Sequence, residues 1–199
     1  MENSKKQELF NACFTEFAQY GYDKANTNRI CESAGVSKGL LFHYFGSKKN
    51  LYILCVEQCI ADVLGLFDGF STDGMSFAEA ISAYGSRKLR FFEEHPLHYR
   101  LLVGAFMNTP DDVKAELSAR YAELTAMSAG IITSLIRRLN LKPQVSEQAA
   151  MQLVLAVIGV MEQKYMPVIL SRPMTDELYE QMKNEYLELM SFLLNGIAD

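Results

Sequence analysis

Helix-starting and helix-ending signals follow one another along the whole chain, with almost none of the apolar–polar alternation that a half-buried strand requires. Ser4 with Gln7 and Ser76 with Glu79 have the spacing of capping boxes. Thr109-Pro110-Asp111-Asp112 supplies a capping hydroxyl, a proline for the first helical position and acids for the positive helix end. Ser146 and Thr175-Asp176-Glu177 read as further starts, while Gly21, Gly35, Gly46, Pro96, Asn140, Pro167 and Asn195-Gly196 read as stops. Between these marks the chain has room for about nine helices. An all-α fold is expected.

The 199 residues, 49% hydrophobic and 22% charged, suffice for a sizeable core and a folded chain. MENSKKQELF has no apolar signal-peptide region, and the most apolar run, 149–161, is shorter than the roughly 20 residues that span a bilayer. A cytoplasmic protein without a membrane partner is the expectation. Four cysteines (Cys13, Cys31, Cys55, Cys59) have no histidine at metal-ligand spacing. They read as buried thiols of a reducing compartment, with a redox sensor as the alternative. The net charge of −5 is uneven. Residues 1–50 hold seven Lys/Arg against five Asp/Glu, and the remainder holds twelve against nineteen. A locally basic first quarter is able to meet a polyanion.

Two short helices fall inside that quarter, 27–34 and 38–45, joined by a tight turn around Gly35-Val36. This is the helix-turn-helix arrangement, whose second helix enters the DNA major groove. Ile30, Ala34, Val36, Leu41 and Phe45 have the spacing to bury one face against helix one, leaving Lys38, Gly39, Leu40, Phe42, His43 and Tyr44 elsewhere. Three consecutive residues cannot share one side of a helix, so at least one of Phe42, His43 and Tyr44 looks outward. Gly39 is a poor helix former near the helix start, and a missing side chain there lets the backbone approach bases or phosphates closely. Lys48, just after the cap of the fourth helix, suits a phosphate.

TNRICESAGVSKGLLFHYFGSKKNLY, residues 27–52, resembles the DNA-binding signature of TetR/AcrR-type transcriptional repressors. The resemblance rests on Thr27, Ile30, the Ala34-Gly35-Val36-Ser37 turn, Gly39, the aromatic end from Phe42 to Phe45, Ser47-Lys48 and Leu51. It implies phosphate contacts from Thr27 and Lys48, and base-edge contacts from Asn28, Lys38, Gly39 and Leu40. It also implies contacts to backbone or bases from His43 and Tyr44. Two positions depart from the pattern. Leu40 replaces a small hydroxyl residue and is suited to a thymine methyl. Phe42 replaces a tyrosine whose hydroxyl meets a phosphate, and so lacks that donor.

The implied architecture is a helix-turn-helix domain over residues 1–50 and a larger helical domain over 51–199 that binds an effector and dimerises. Residues 149–161 are apolar almost all round, and Leu178, Met182, Tyr186, Leu189, Met190, Leu193 and Ile197 form a stripe on the last helix. These two helices are expected to make a four-helix bundle with a second copy. Tyr84, Phe91, Phe106, Met107, Tyr121, Met127, Met161 and Tyr165 are candidates for an adaptable apolar pocket, Phe106, Tyr121, Met161 and Tyr165 foremost, with Glu162 as its polar or cation-pairing group. His95, His98, Glu93 and Glu94 form a weak metal pattern, and no metal or other cofactor is expected. No histidine follows a glutamate by three residues, and neither a nucleophile elbow nor a P-loop appears. No catalytic residue is assigned. The expected function is a ligand-responsive repressor, homodimeric, binding a near-palindromic operator in double-stranded DNA and released by a small apolar or aromatic effector. An all-helical cytosolic enzyme or a redox or metal sensor is the alternative.

Overall fold

The computed structural model describes residues 2–107, 109–169, 171 and 175–198; the side chains of residues 2–4 and 107 lie outside that description. The expected cap at Ser4 and the pocket role of Met107 therefore fall outside the described residues. Nine helices are present among the described residues. They are α1 (Glu2–Lys24), α2 (Thr27–Ala34), α3 (Lys38–Phe45), α4 (Lys48–Gly65), α5 (Phe77–Glu94), α6 (Pro96–Met107), α7 (Lys114–Ile136), α8 (Glu147–Ile169) and α9 (Asp176–Ile197). One isolated bridge between Leu141 and Ala198 is the extent of β-pairing among them.

The start signals act as the residues suggest. Ser37, Ser47, Ser146 and Thr175 each accept the N–H of the residue three positions on, at 3.1–3.2 Å. Ser76 and Glu79 exchange bonds reciprocally, Ser76 N–H to Glu79 at 2.8 Å and Glu79 N–H to Ser76 at 3.3 Å.

Two signals misled. Thr109 does not cap α7: its hydroxyl donates back to the Ala105 carbonyl at 2.6 Å, closing α6. Residues 110–113 then form a turn, and α7 begins at Lys114. Pro167 does not stop α8, which continues to Ile169. A proline in the last turn removes a single ladder bond, and burial of Met166 and Ile169 holds the turn in place.

The chain packs as two compact units, one made of Met1–Gly65 with His95–Leu124, the other of Leu66–Glu94 with Thr125–Asp199. In the first, α1 packs against α2, α4 and α6. Leu9, Cys13 and Phe17 on α1 meet a core that includes Ile30, Leu41, Leu51, Tyr52, Cys55, Val56, Cys59 and Leu101. Phe17 and Tyr52 meet edge to face at 5.1 Å between centroids. Each fully buried large side chain there contributes roughly 1.5–3 kcal/mol. The unit extends past residue 50 because α4 buries one whole face, Leu51 to Val63, within it.

In the second unit α9 packs against α5 and α8. Its core holds Ile81, Tyr84, Ile132, Leu135, Val154, Met161, Met182 and Met190. The α9 stripe expected to face a second copy mostly faces this core: Leu178, Met182, Tyr186, Met190 and Ile197 are buried. The large apolar side chains left exposed on α8 and α9 are instead Leu153, Leu155 and Val160 on α8 and Phe192 on α9, which is 66% exposed. No described helix is long and apolar enough to cross a membrane.

Candidate nucleic-acid interface

The α2–α3 pair is held from behind by its small core and by one buried carboxylate. Glu16 on α1, 8% exposed, accepts the Asn26 N–H at 2.8 Å and the Arg29 guanidinium at 2.5–3.2 Å. It therefore sits at the start of α2, where the helix field favours an anion. Arg29 also donates to the Lys24 carbonyl at 3.0 Å and lies over the Tyr20 ring. The pairing takes Arg29 out of the charge available to a polyanion. Neither residue signals this in sequence, being thirteen positions apart in different helices.

Asn26 caps α2, its side chain accepting the Asn28 N–H at 2.8 Å. The helix ends on Gly35 at φ 62°, a left-handed residue that costs any side chain strain. From there the Val36 N–H reaches the Cys31 carbonyl at 3.0 Å, and Ser37 opens α3. The turn therefore sets the angle at which α3 leaves α2.

Ile30, Leu41 and Phe45 are buried as expected; Ala34 and Val36 are half-exposed. Asn28, Lys38, Gly39 and His43 are exposed, and Thr27, Leu40, Phe42 and Tyr44 half-exposed. Of the three consecutive aromatic residues, His43 is the one that looks outward. A β-carbon added at Gly39 would meet only Ser37 Oγ, at 3.8 Å. Lys48 lies beyond α3 with its ammonium 3.2 Å from the Asp23 carbonyl and 5.0 Å from the Tyr22 ring centroid. One donor is used there, and an ammonium has three.

Tyr22 itself donates to the Asp112 carboxylate at 2.5 Å, and Lys49 pairs with Glu116 at 2.8 Å. Burial and then Asp112 push the Tyr22 phenol up to about 12. These bonds tie the end of α1 and the start of α4 to the turn before α7 and to its first residues.

The other expected site residues divide between the units. Phe106 and Tyr121 meet in the first, with ring centroids 4.6 Å apart. Met161, Glu162 and Tyr165 lie in the second. There Glu162 accepts Lys88 at 2.5 Å, and Tyr165 donates to Glu185 at 2.5 Å. His98 pairs with Asp62 at 2.9 Å over the ring of Phe14. Burial pushes the Cys13 thiol up to about 12 and those of Cys55 and Cys59 upward as well. Thiols held protonated in this way are poor nucleophiles.

Residues 9–55 match the family model described as bacterial regulatory proteins, tetR family. The chain is 33% identical over 137 residues to the HTH-type transcriptional regulator RutR of Escherichia coli (strain K12). That match covers 66% of this chain and 64% of RutR, so the chain spans just under two thirds of that relative's length. The HTH-type transcriptional repressor AcnR of Corynebacterium glutamicum is 38% identical over 55 residues, 28% of this chain and 29% of AcnR. Among solved structures, a TetR family transcriptional regulator from Chloroflexus aurantiacus superposes with a TM-score of 0.74 at 18% identity, over 100% of this chain and 95% of that one. The regulator FadR of Bacillus subtilis, solved with stearoyl-CoA, gives 0.65 at 16% identity over 93% and 97%. A capped helix-turn-helix braced by α1 and α4, the family match across it, and a shared fold over the full length agree: residues 9–55 carry the helix-turn-helix segment of the tetR family of bacterial regulatory proteins, on a fold like that of solved members of that family.

Proposed function

We propose that this chain is a homodimeric transcriptional repressor that reads a near-palindromic operator through α3 and leaves it when a small, largely apolar effector binds. One observation carries the reading. The outward side of α3 presents Lys38, Gly39 and His43, with Leu40 and Tyr44 half-exposed beside them, while Leu41 and Phe45 anchor the helix inward. In this reading Thr27 and Lys48 hold phosphates, and Asn28, Lys38, Gly39 and Leu40 face base edges. His43 and Tyr44 meet backbone or bases, and Phe42 has no hydroxyl to offer. Residues 1–50 form the DNA-reading part, and residues 51–199 sense the effector and dimerise.

The exposed apolar side chains on α8 and α9, which water solvates poorly, support a second copy. A two-fold pair places two recognition helices on half-sites about one helical turn, or a small multiple, apart. The effector reading draws on the buried methionines and aromatics of the second unit, and on FadR, a protein of like fold solved in complex with stearoyl-CoA. An effector releases DNA only if it prefers the conformation in which the recognition helices are wrongly spaced.

Footprinting the purified protein across genomic DNA tests this. Two symmetric protected half-sites, lost steeply as salt rises, are expected. A single asymmetric contact, or no protection at low salt, overturns the reading.

A further inference from the structure

Helices of the second unit bring polar side chains together at the edge of its apolar core, Tyr84 and Tyr186 buried and Lys88 and Glu162 part-exposed. Tyr84 on α5 donates its hydroxyl to Ser128 on α7 at 2.9 Å. One turn along α5, Lys88 donates to Glu162 on α8 at 2.5 Å. Tyr186 on α9 is close enough to Tyr84 and Glu162 to feel both electrostatically. It is 8% exposed, and its hydroxyl has no hydrogen-bond partner among the described residues. Every other buried side-chain oxygen or nitrogen described in the chain has one.

An unpaired buried hydroxyl loses its hydration with nothing in return, so phenylalanine would serve the fold better at this position. The hydroxyl therefore points to something outside the chain. Burial, with Tyr84 and Glu162 nearby, pushes the phenol's pKa upward, so it remains an O–H donor. A phenol donates better than it accepts, so an acceptor satisfies it best. An anionic acceptor is disfavoured by the Glu162 carboxylate, and Lys88 is already neutralised by that same group. A cation would be buried beside a carboxylate that Lys88 already neutralises. A neutral carbonyl-type oxygen fits all three conditions. Met182 and Met190 stand one turn to either side of Tyr186, both buried, and unbranched side chains of this kind repack readily around an apolar body.

We propose that the Tyr186 hydroxyl is the hydrogen-bonding anchor of a ligand site inside the second unit, for a neutral molecule with an apolar body and one carbonyl-type oxygen. The proposal rests on the reading of this region as effector-sensing and names the chemistry of the effector. Tyr84 and the Lys88–Glu162 pair bound the polar end of the site, Tyr84 already turned toward Ser128 and the pair excluding charged ligands.

The test is calorimetric titration of the full chain with acetophenone and methyl benzoate as carbonyl probes, ethylbenzene as the hydrocarbon control and benzoate as the anion control. Wild type and Tyr186→Phe are compared, each with a thermal melt. The carbonyl probes are expected to bind wild type about three- to tenfold tighter than ethylbenzene, the range of one net hydrogen bond. Benzoate is expected to bind more weakly than acetophenone. In Tyr186→Phe the carbonyl preference disappears, ethylbenzene affinity is kept, and the melt is as high as wild type or higher. Carbonyl probes that fail to bind, a preference that survives Tyr186→Phe, a tighter benzoate, or a lower melt of the variant each overturn the proposal. Fluorescence polarisation of the DNA complex separates the two layers. Tyr186-dependent binding that leaves DNA affinity unchanged keeps this site and removes the effector reading. Release by ethylbenzene and the carbonyl probes alike, indifferent to Tyr186, keeps the effector reading and removes this site.

Discussion

Ser37 Oγ, 3.8 Å away, is the nearest atom that a β-carbon on Gly39 would meet beyond the helix's own backbone. That is ordinary van der Waals contact, and Gly39 has no positive φ. Nothing inside the chain therefore needs glycine at this position, although glycine weakens a helix by roughly 0.5–1 kcal/mol relative to alanine. Gly39→Ala is expected to raise stability by up to about that amount and to weaken operator binding. Denaturant melts and DNA titrations on the same preparation separate the two effects. A variant both more stable and equally tight on DNA would remove Gly39 from the interface.

Lys48 and Leu40 should fail in different ways. Lys48→Ala removes a charge next to the backbone, so it is expected to weaken all DNA sequences alike and to reduce the slope of log affinity against log salt by about 1. Its bond to the Asp23 carbonyl is exposed, so the fold should change little. Leu40→Ser leaves the charge alone and should change which bases are preferred, a thymine losing its advantage at one position. Titrations over a salt series and a base-substituted operator set read both. A Leu40→Ser protein that weakens every operator equally would mark Leu40 as packing.

The fold class was legible because helix signals are local. A serine or threonine three residues ahead of the N–H it accepts needs no knowledge of the rest of the chain, and Ser37, Ser47, Ser76, Ser146 and Thr175 all behave that way. Thr109 misled for the same local reason, since a hydroxyl that can cap the next helix can equally close the previous one. Within α3 the 3.6-residue period separated buried Leu41 and Phe45 from exposed Lys38, Gly39 and His43. What stayed hidden is long-range. Glu16 bracing Arg29, Tyr22 reaching Asp112 and Tyr186 left without a hydrogen-bond partner among the described residues have no period or motif. The α9 stripe shows the limit of periodicity: it finds an apolar face without saying whether that face meets the same chain or another.

The open apolar surface makes a sharp dimer test. Val160 is 55% exposed and Phe192 66%, so a charge at either position disturbs its own unit little. Burying that charge between two copies without a partner is strongly unfavourable. Val160→Glu and Phe192→Glu are each expected to give a folded monomer that binds the full operator far more weakly than wild type. Sedimentation and circular dichroism check assembly and fold together. Dimers that persist in both variants would place the interface elsewhere.

Acid should loosen the α8–α9 contact in a defined direction. Glu185 accepts the Lys164 ammonium at 2.6 Å and the Tyr165 hydroxyl at 2.5 Å. Lys164 first, then Tyr165, hold its carboxyl below the ordinary glutamate value of 4.5. A carboxylate depressed on folding stabilises the native state above its unfolded pKa, and that contribution is lost as pH falls through the folded one. Glu185→Gln should therefore melt below wild type at pH 7, with the gap closing once pH drops below about 4.5 and protonation neutralises the wild-type residue. Some acid sensitivity must survive in the variant. Glu79, held down by Ser76, and Glu116, held down by Lys49, are depressed as well. Lys164→Met supplies the reciprocal check, since it leaves Glu185 with the tyrosine alone and should move its titration back toward 4.5. Melting temperatures of the three proteins from pH 3 to pH 8 measure all of this. A constant gap between wild type and Glu185→Gln across that range would mean that the pair contributes packing and no charge, and the α8–α9 contact would then be indifferent to acid.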